Sequence, residues 1–293
     1  MCKRVIKVTV GVCVKNCETL IGNAIASVVA QDFPHGLMEL IVVDGYSEDK
    51  TLAIIKERLD KTDLKYRVFY ENEGLGRARQ IVIDNAGGEY IVWVDGDMVI
   101  SKDFVRKQVE FMDNNPDVGI AKGKYEISVN PDSESLVAML ENTEFMLNTI
   151  VEGETASNCL GTSGCIYRVK AIRQVGGFDL SIKGVGEDMD AESRVRKAGW
   201  LLYITSVPFY EKRRQTWKSL WKEYFWHGQG NRYLLKKDKT ILNLYKMLPP
   251  VALTAELLRV PAAYKLTYRK TVVLLPLHYI FKRIAWILGF LNS

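Results

Sequence analysis

Tyr90-Ile91-Val92-Trp93-Val94-Asp95-Gly96-Asp97-Met98 runs five apolar residues into two carboxylates that flank a glycine. Five apolar residues closed by a turn signal read as a buried strand. A buried strand ending in Asp-x-Asp puts two hard oxygen ligands on one loop, suited to a divalent cation that carries a diphosphate. The same residues suit a plain polar turn, since Asp-Gly is a common turn pair. Three segments far away in sequence fit the same site and tip the reading towards the metal.

Working outward, strand and helix patterns alternate. Val5 to Val14 is β-branched and alternating, Glu18 to Ala30 has helical spacing, and Leu37 to Asp44 is a buried strand. A helix from Asp49 to Leu59, a strand from Tyr66 to Tyr70, a helix from Arg77 to Asn85, the strand Glu89 to Asp95 and a helix from Phe104 to Met112 continue the series. Such alternation predicts an α/β protein with a mainly parallel sheet covered on both faces. Ligands of such sheets bind beyond the carboxyl ends of the strands. Lys15-Asn16, Asp44-Gly45-Tyr46-Ser47 and Asp95-Gly96-Asp97 all lie there. After Val129 the alternation loosens: a helix over Ser135 to Val151, a polar loop over Glu152 to Gly164, a helix over Met189 to Ala198, and helical, aromatic, basic sequence from Thr216.

The length of 293 residues allows one large domain or a domain with an appendage. Cys2, Cys13, Cys17, Cys159 and Cys165 form no CxxC pair and no metal-ligand spacing with histidine, which fits free thiols in a reducing compartment. The strand pattern starts almost at Met1, so no secretory signal is expected ahead of the fold. The net charge of +5 is uneven, with ten Lys/Arg against Asp238 and Glu256 from Lys236 onward. That tail is +8 and the body −3. A basic, aromatic and apolar tail suits an anionic membrane surface better than nucleic acid.

Each motif has a structural reading beside the chemical one. Ser47 or Asp49 suits capping of the following helix, whereas Asp44 at the strand end is free to accept bonds from a base or ribose. Asn72-Glu73-Gly74-Leu75-Gly76-Arg77-Ala78-Arg79 opens a helix, where glycines, the helix terminus and Arg77 or Arg79 favour phosphate. Read as a dinucleotide fingerprint, with an NAD-linked oxidoreductase as the consequence, it fails at Arg79, which holds the third glycine position. Gly186-Glu187-Asp188-Met189-Asp190 complements a helix dipole but has more acid than one cap requires, and a carboxylate there is suited to deprotonate a hydroxyl. His227, among aromatics, reads as a packing residue.

Together these residues resemble a family-2 glycosyltransferase of GT-A fold, over roughly residues 5 to 230. Val14 and Asn16 lie in a stretch similar to the first-strand motif, with Cys17 where an acid is usual. Val43 to Thr51 resembles Val-Asp-Asp-Gly-Ser-x-Asp-x-Thr, with Gly45 for the second aspartate. Asn72 to Arg79 resembles Asn-x-Gly-x-x-x-Ala-Arg, and Asp95-Gly96-Asp97 the Asp-x-Asp motif. Gly176 to Asp179, Gly186 to Asp190, Arg194 and Ala198 to Trp200 resemble the acceptor-side signature. Gln229 to Tyr233 partly resembles the Gln-x-x-Arg-Trp element of processive synthases.

The resemblance implies inverting, hexosyl-type transfer from a UDP- or GDP-sugar. Val14, Asn16, Asp44, Gly74, Arg79, Asp95 and Gly96 would bind the donor, and Asp97, Asp95 and Glu211 would hold Mg²⁺ or Mn²⁺. Asp188 would be the base, positioned by Glu187. An inactive nucleotide-sugar-binding homologue is the rival. The expected domains are 1–215, catalytic, with a nucleotide-sugar half to about 100 and an acceptor half beyond it, and 216–293, helical.

Thr271 to Leu291 has the length of a spanning helix, yet Pro276, His278, Lys282 and Arg283 lie inside it. An amphipathic extension lying in the interface of the cytoplasmic membrane face, with Lys and Arg meeting headgroups, is the expectation. A helical pair packed on protein is its alternative. A lipid-linked acceptor, such as a polyprenyl phosphate or its glycoside, would follow.

Overall fold

The computed structural model describes residues 5–126, 134–148, 152–155, 160–182, 185–239, 241 and 248–293. They form two compact units. One comprises the chain up to Tyr125 with Glu152–Ser181 and Glu187–Glu211, and the other Glu126–Val151, Ile182–Gly186 and Lys212–Ser293.

The first unit is built on nine strands: β1 (Val8–Val14), β2 (Met38–Asp44), β3 (Lys65–Tyr70), β4 (Tyr90–Trp93), β5 (Met98–Ile100), β6 (Val118–Glu126), β7 (Gly153–Glu154), β8 (Cys165–Arg168) and β9 (Leu201–Glu211). Their order is β3-β2-β1-β4-β8-β6-β9-β5, with β7 paired to β9. β3, β2, β1 and β4 are parallel, which is the half that the strand–helix alternation predicts. β8 runs antiparallel to β4 and β6, and β9 antiparallel to β5 and β7, so the sheet as a whole is mixed.

Helices α1 (Ile21–Val29), α2 (Thr51–Leu59), α3 (Leu75–Asn85), α4 (Phe104–Asn114), a shorter helix at Val169–Gln174 and one at Glu187–Lys197 flank the sheet. α1 buries Ile21, Ala24, Ile25 and Val28, the one-sided stripe a sheet-facing helix needs. At the core Trp93 meets Tyr167 and Phe178 edge-on, with ring centroids 6.1 and 6.0 Å away. Such pairs contribute about 0.5–1.5 kcal/mol each beyond area burial. Gly11 makes room for that indole, since a Cβ there would come within 2.8 Å of it.

The second unit is helical. With the Val169–Gln174 and Glu187–Lys197 helices numbered α6 and α7, it contains α5 (Leu136–Asn148), α8 (Trp217–Lys237), α9 (Pro249–Thr267) and α10 (Leu275–Leu291). Residues 149–151 of the expected helix lie outside the described residues. α8 starts at a capping box in which Thr216 accepts from the Ser219 amide at 3.1 Å. A Cβ on Gly228 would run into the Trp286 carbonyl, and one on Gly289 into that of Phe225, so α8 and α10 cross backbone to backbone. Met139, Leu140, Ala263, Val272 and Leu275 form the core.

Lys282 departs from the sequence expectation. It is 1% exposed, and its ammonium lies 2.6 Å from Glu141 and 2.5 Å from Glu144 of α5. Arg283 hydrogen-bonds the Tyr279 hydroxyl. The tail alone does not show that a helix well over a hundred residues earlier supplies two carboxylates, and a partnered ammonium has no need of headgroups. Arg232, in the stretch similar to a synthase motif, donates to the Phe290 and Leu291 carbonyls at 3.4 and 3.3 Å and so caps α10.

Candidate active site

The ends of β1 and β2 are stitched into one surface. The Gly45 amide donates to the Val14 carbonyl at 2.8 Å, the Asn16 amide to Ser47 Oγ at 2.9 Å, and the Glu48 amide to Asn16 Oδ1 at 2.9 Å. Asn16 is thus engaged in holding the loops, in a left-handed conformation (φ 49°) that asparagine tolerates. Asp44 is buried. Its Oδ2 accepts from the Ser47 amide at 2.9 Å, while its Oδ1 has no hydrogen-bond partner. A buried carboxylate oxygen left in that state is costly unless a ligand supplies the donor. Tyr46 and Tyr70, both exposed, bring their rings to 5.7 Å beside it.

Gly74 sits at the start of α3 with φ 132°, reachable only for glycine, and a Cβ there would meet nothing within 4 Å. Arg79, one turn further, is buried and donates to Glu187 at the start of α7. Burial raises the Glu187 carboxyl above the ordinary range and Arg79 opposes it. Arg79 therefore reaches an internal carboxylate, which explains why no glycine stands at that position.

Asp95 and Asp97 follow β4. A Cβ on Gly96 would come within 3.0 Å of Cys17 Sγ and 3.1 Å of Val14, so the loop lies tight on the end of β1. β5 and β9 pair with Met98 opposite Glu211, which sets Glu211 next to the Asp-x-Asp turn. Ser163 joins them, donating to Glu211 Oε2 at 2.8 Å, with its hydroxyl near enough to Asp95 to favour that carboxylate. Burial raises the Asp95 carboxyl, Arg79 pulls against it, and the Glu211 charge adds to the rise.

Asp188 is partly exposed on α7, and its Oδ1 accepts from the Met189 amide at 2.8 Å. Its Oδ2 is 3.7 Å from where a Cβ on Gly161 would stand. One turn on, Glu192 is fully buried, accepts from the Leu160 amide at 2.9 Å, and is pushed up to about 8 by burial and by Asp188. From β6, the buried Lys122 donates to the Leu160 carbonyl and, at 2.8 Å, to the Ser163 carbonyl.

Asp95, Asp97 and Glu211 are hard oxygen donors, the charges of Asp95 and Glu211 oppose each other, and the set fits Mg²⁺ or Mn²⁺ in kind. The tighter grouping, Glu141, Glu144 and His278 within 4.8 Å, is in the helical unit, where the Lys282 ammonium already serves as its cation.

Lys122, Ser163 and Glu192 escaped the sequence reading. Glu192 had a signal, four residues after Asp188 and so on the same helical face. Lys122 had a weaker one, as a cation directly after the apolar run Val118-Gly119-Ile120-Ala121. Ser163 had none.

A mixed sheet with its acids collected at the strand ends is the GT-A architecture. Residues 9–176 match the description of glycosyl transferase family 2, and the chain belongs to that family. The poly-beta-1,6-N-acetyl-D-glucosamine synthase of Staphylococcus epidermidis is 25% identical over 239 residues, 77% of this chain and 54% of that protein. The poly(ribitol-phosphate) beta-N-acetylglucosaminyltransferase TarS of Staphylococcus aureus is 34% identical over 111 residues, 37% of this chain and 19% of that protein. The chain thus spans about half the length of the first relative and about a fifth of the second. The mannosyltransferase PcManGT from Pyrobaculum calidifontis, in complex with GDP-Man and Mn²⁺, superposes with a TM-score of 0.69 at 18% identity, over 97% of this chain and 87% of that one.

Proposed function

We propose that the chain transfers a hexosyl unit from a UDP- or GDP-sugar to an acceptor hydroxyl, with inversion at the anomeric carbon and a requirement for Mg²⁺ or Mn²⁺. The observation that carries this reading is that Ser163 bonds Glu211 beside Asp95 at one end of a loop, while Asp188 faces Gly161 in the same loop. Val14, Asn16, Asp44, Gly74 and Gly96 shape the nucleotide end, with Asp44 Oδ1 ready for a base or ribose donor. The acceptor oxygen attacks the anomeric carbon from one face as the bond to the diphosphate breaks on the other. Asp188 takes the hydroxyl proton, and Arg79 keeps Glu187, and with it the start of α7, in place. Asp95, Asp97 and Glu211 would hold the cation, which when bound neutralises charge on the leaving diphosphate. GDP-Man and Mn²⁺ in the mannosyltransferase complex support this choice of donor and metal.

The proposed acceptor is lipid-linked, a polyprenyl phosphate glycoside whose sugar offers the attacking hydroxyl, met at the cytoplasmic membrane face. Three features support this. Lys270–Leu291 is 22 residues long and, by length and composition, apolar enough to cross a membrane. Leu258 (83%), Tyr268 (80%), Val273 and Leu277 stand exposed beside the exposed Lys265 and Lys270. Cys13, Cys17 and Cys165 are free thiols, as a reducing compartment allows.

The test is a thermal-shift screen of UDP, GDP and their sugars with and without Mn²⁺, followed by nucleotide release. Stabilisation by one nucleotide class, strengthened by metal and followed by release, is expected. No shift and no release with any donor would refute the reading.

A further inference from the structure

Leu160–Gly164 touches both ends of the proposed reaction centre, and two buried side chains, Lys122 and Glu192, hold it. Every carbonyl in it is bonded: Leu160 and Ser163 to the Lys122 ammonium, Gly161 to Cys165 Sγ at 2.9 Å, Thr162 to the Cys165 amide at 3.0 Å, and Gly164 to the Gly123 amide at 2.8 Å. Glu192 accepts from the Leu160 amide at 2.9 Å and lies near that of Gly161. Gly161 (φ 70°) and Gly164 (φ 67°) hold conformations that side chains rarely adopt, and a Cβ on Gly164 would come within 2.6 Å of the Phe209 ring. The loop therefore has one shape.

We propose that Lys122 is a positioning residue for the transfer reaction: by gripping the Leu160 and Ser163 carbonyls it sets the spacing between the Asp95–Glu211 end, reached through Ser163, and the Asp188 end, reached through Gly161. This rests on the glycosyltransferase reading above. An ammonium suits the task because a point charge takes two carbonyls at once without a fixed fork. Its ammonium is spent on two protein carbonyls, so its loss is felt as misplacement. Displacement of reacting groups by about 1 Å costs on the order of 10²-fold in rate.

The experiment compares wild type, Lys122→Met, Lys122→Arg and Ser163→Ala for kcat, donor KM, nucleotide affinity by calorimetry and the Mn²⁺ concentration for half-activation. Lys122→Met is expected to lower kcat about 10²-fold, to leave UDP or GDP affinity within about threefold, and to raise the Mn²⁺ requirement. Lys122→Arg, which keeps the charge but brings a fixed fork, should recover only part of the loss. Ser163→Ala, which removes one hydroxyl and leaves the loop anchored, should lower kcat and raise the Mn²⁺ requirement at unchanged melting temperature. If Lys122→Met does not fold, Lys122→Gln, which can still donate to these carbonyls without the charge, carries the test in its place. Normal kcat and normal Mn²⁺ dependence in the folded variants overturn the proposal while wild-type turnover stands. Absence of turnover in wild type strikes instead at the glycosyltransferase reading.

Discussion

Replacing Lys282 by Met isolates the electrostatics of the helical unit. The methionine keeps an unbranched stem of similar volume, and volume-conserving swaps usually cost under about 1.5 kcal/mol. The ammonium it removes lies 2.6 and 2.5 Å from two glutamates and 4.5 Å from the Tyr224 ring. Breaking a buried pair on one side leaves uncompensated charge, with a cost of about 3–5 kcal/mol, and here two carboxylates are stranded. The pH dependence follows from Glu141. Burial would raise its carboxyl, but Lys282 and His278 outweigh burial and hold it below the ordinary range. Its stabilising contribution is thus present above the unfolded carboxyl value, near 4.3 for glutamate, and is lost as pH falls through the lower folded one. Without the ammonium, burial dominates and protonation helps the fold, so the gap between the two proteins should narrow on acidification. Urea titrations followed by tryptophan emission read this locally, because Trp217 packs on His278 at 5.8 Å and Trp221 on Phe281 at 5.2 Å. A loss below about 1 kcal/mol, no more than a surface pair is worth, or a gap that widens towards pH 4, would refute the reasoning.

Asp97→Asn should abolish metal-dependent donor turnover in a protein that stays folded; near-normal turnover at saturating Mn²⁺ would remove Asp97 from the metal site. Glu192→Gln should flatten the pH dependence of stability: a carboxyl raised to about 8 in the fold weakens the native state as pH climbs from the unfolded value towards 8, and the glutamine variant should lack that decline in urea midpoint. Leu258→Glu with Tyr268→Glu, both on the exposed face of the helical unit, should reduce flotation with anionic liposomes and spare turnover on a water-soluble acceptor; unchanged flotation would count against membrane docking.

The legible part of the fold was the part with strong periodicity. β1, β2 and β4 are runs of β-branched and apolar residues, and α1 carries its stripe at helical spacing, so each announces itself. The antiparallel half did not. β6 contains Gly119 and Gly123, needed for close approach to Trp200 and Phe209 rather than for strand propensity, and β5 is three residues long. The same division runs through the site. Asp95, Asp97 and Asp188 stand at element ends, where local sequence marks them. Lys122 and Ser163 act through a loop whose position depends on β6 and α7 packing on it, and no local pattern encodes that. Lys282 shows the reverse case, a tail cation whose meaning changed once α5 supplied its partners.

The central claim is tested most directly by transfer to a hydroxyl-bearing acceptor, with the anomeric configuration of the product read by NMR and the rate compared between wild type and Asp188→Asn. The account predicts inversion at the anomeric carbon, an Asp188→Asn rate lower by about 10²–10⁴-fold, and donor affinity almost unchanged. A product of retained configuration, or an undiminished rate in the folded variant, would contradict it.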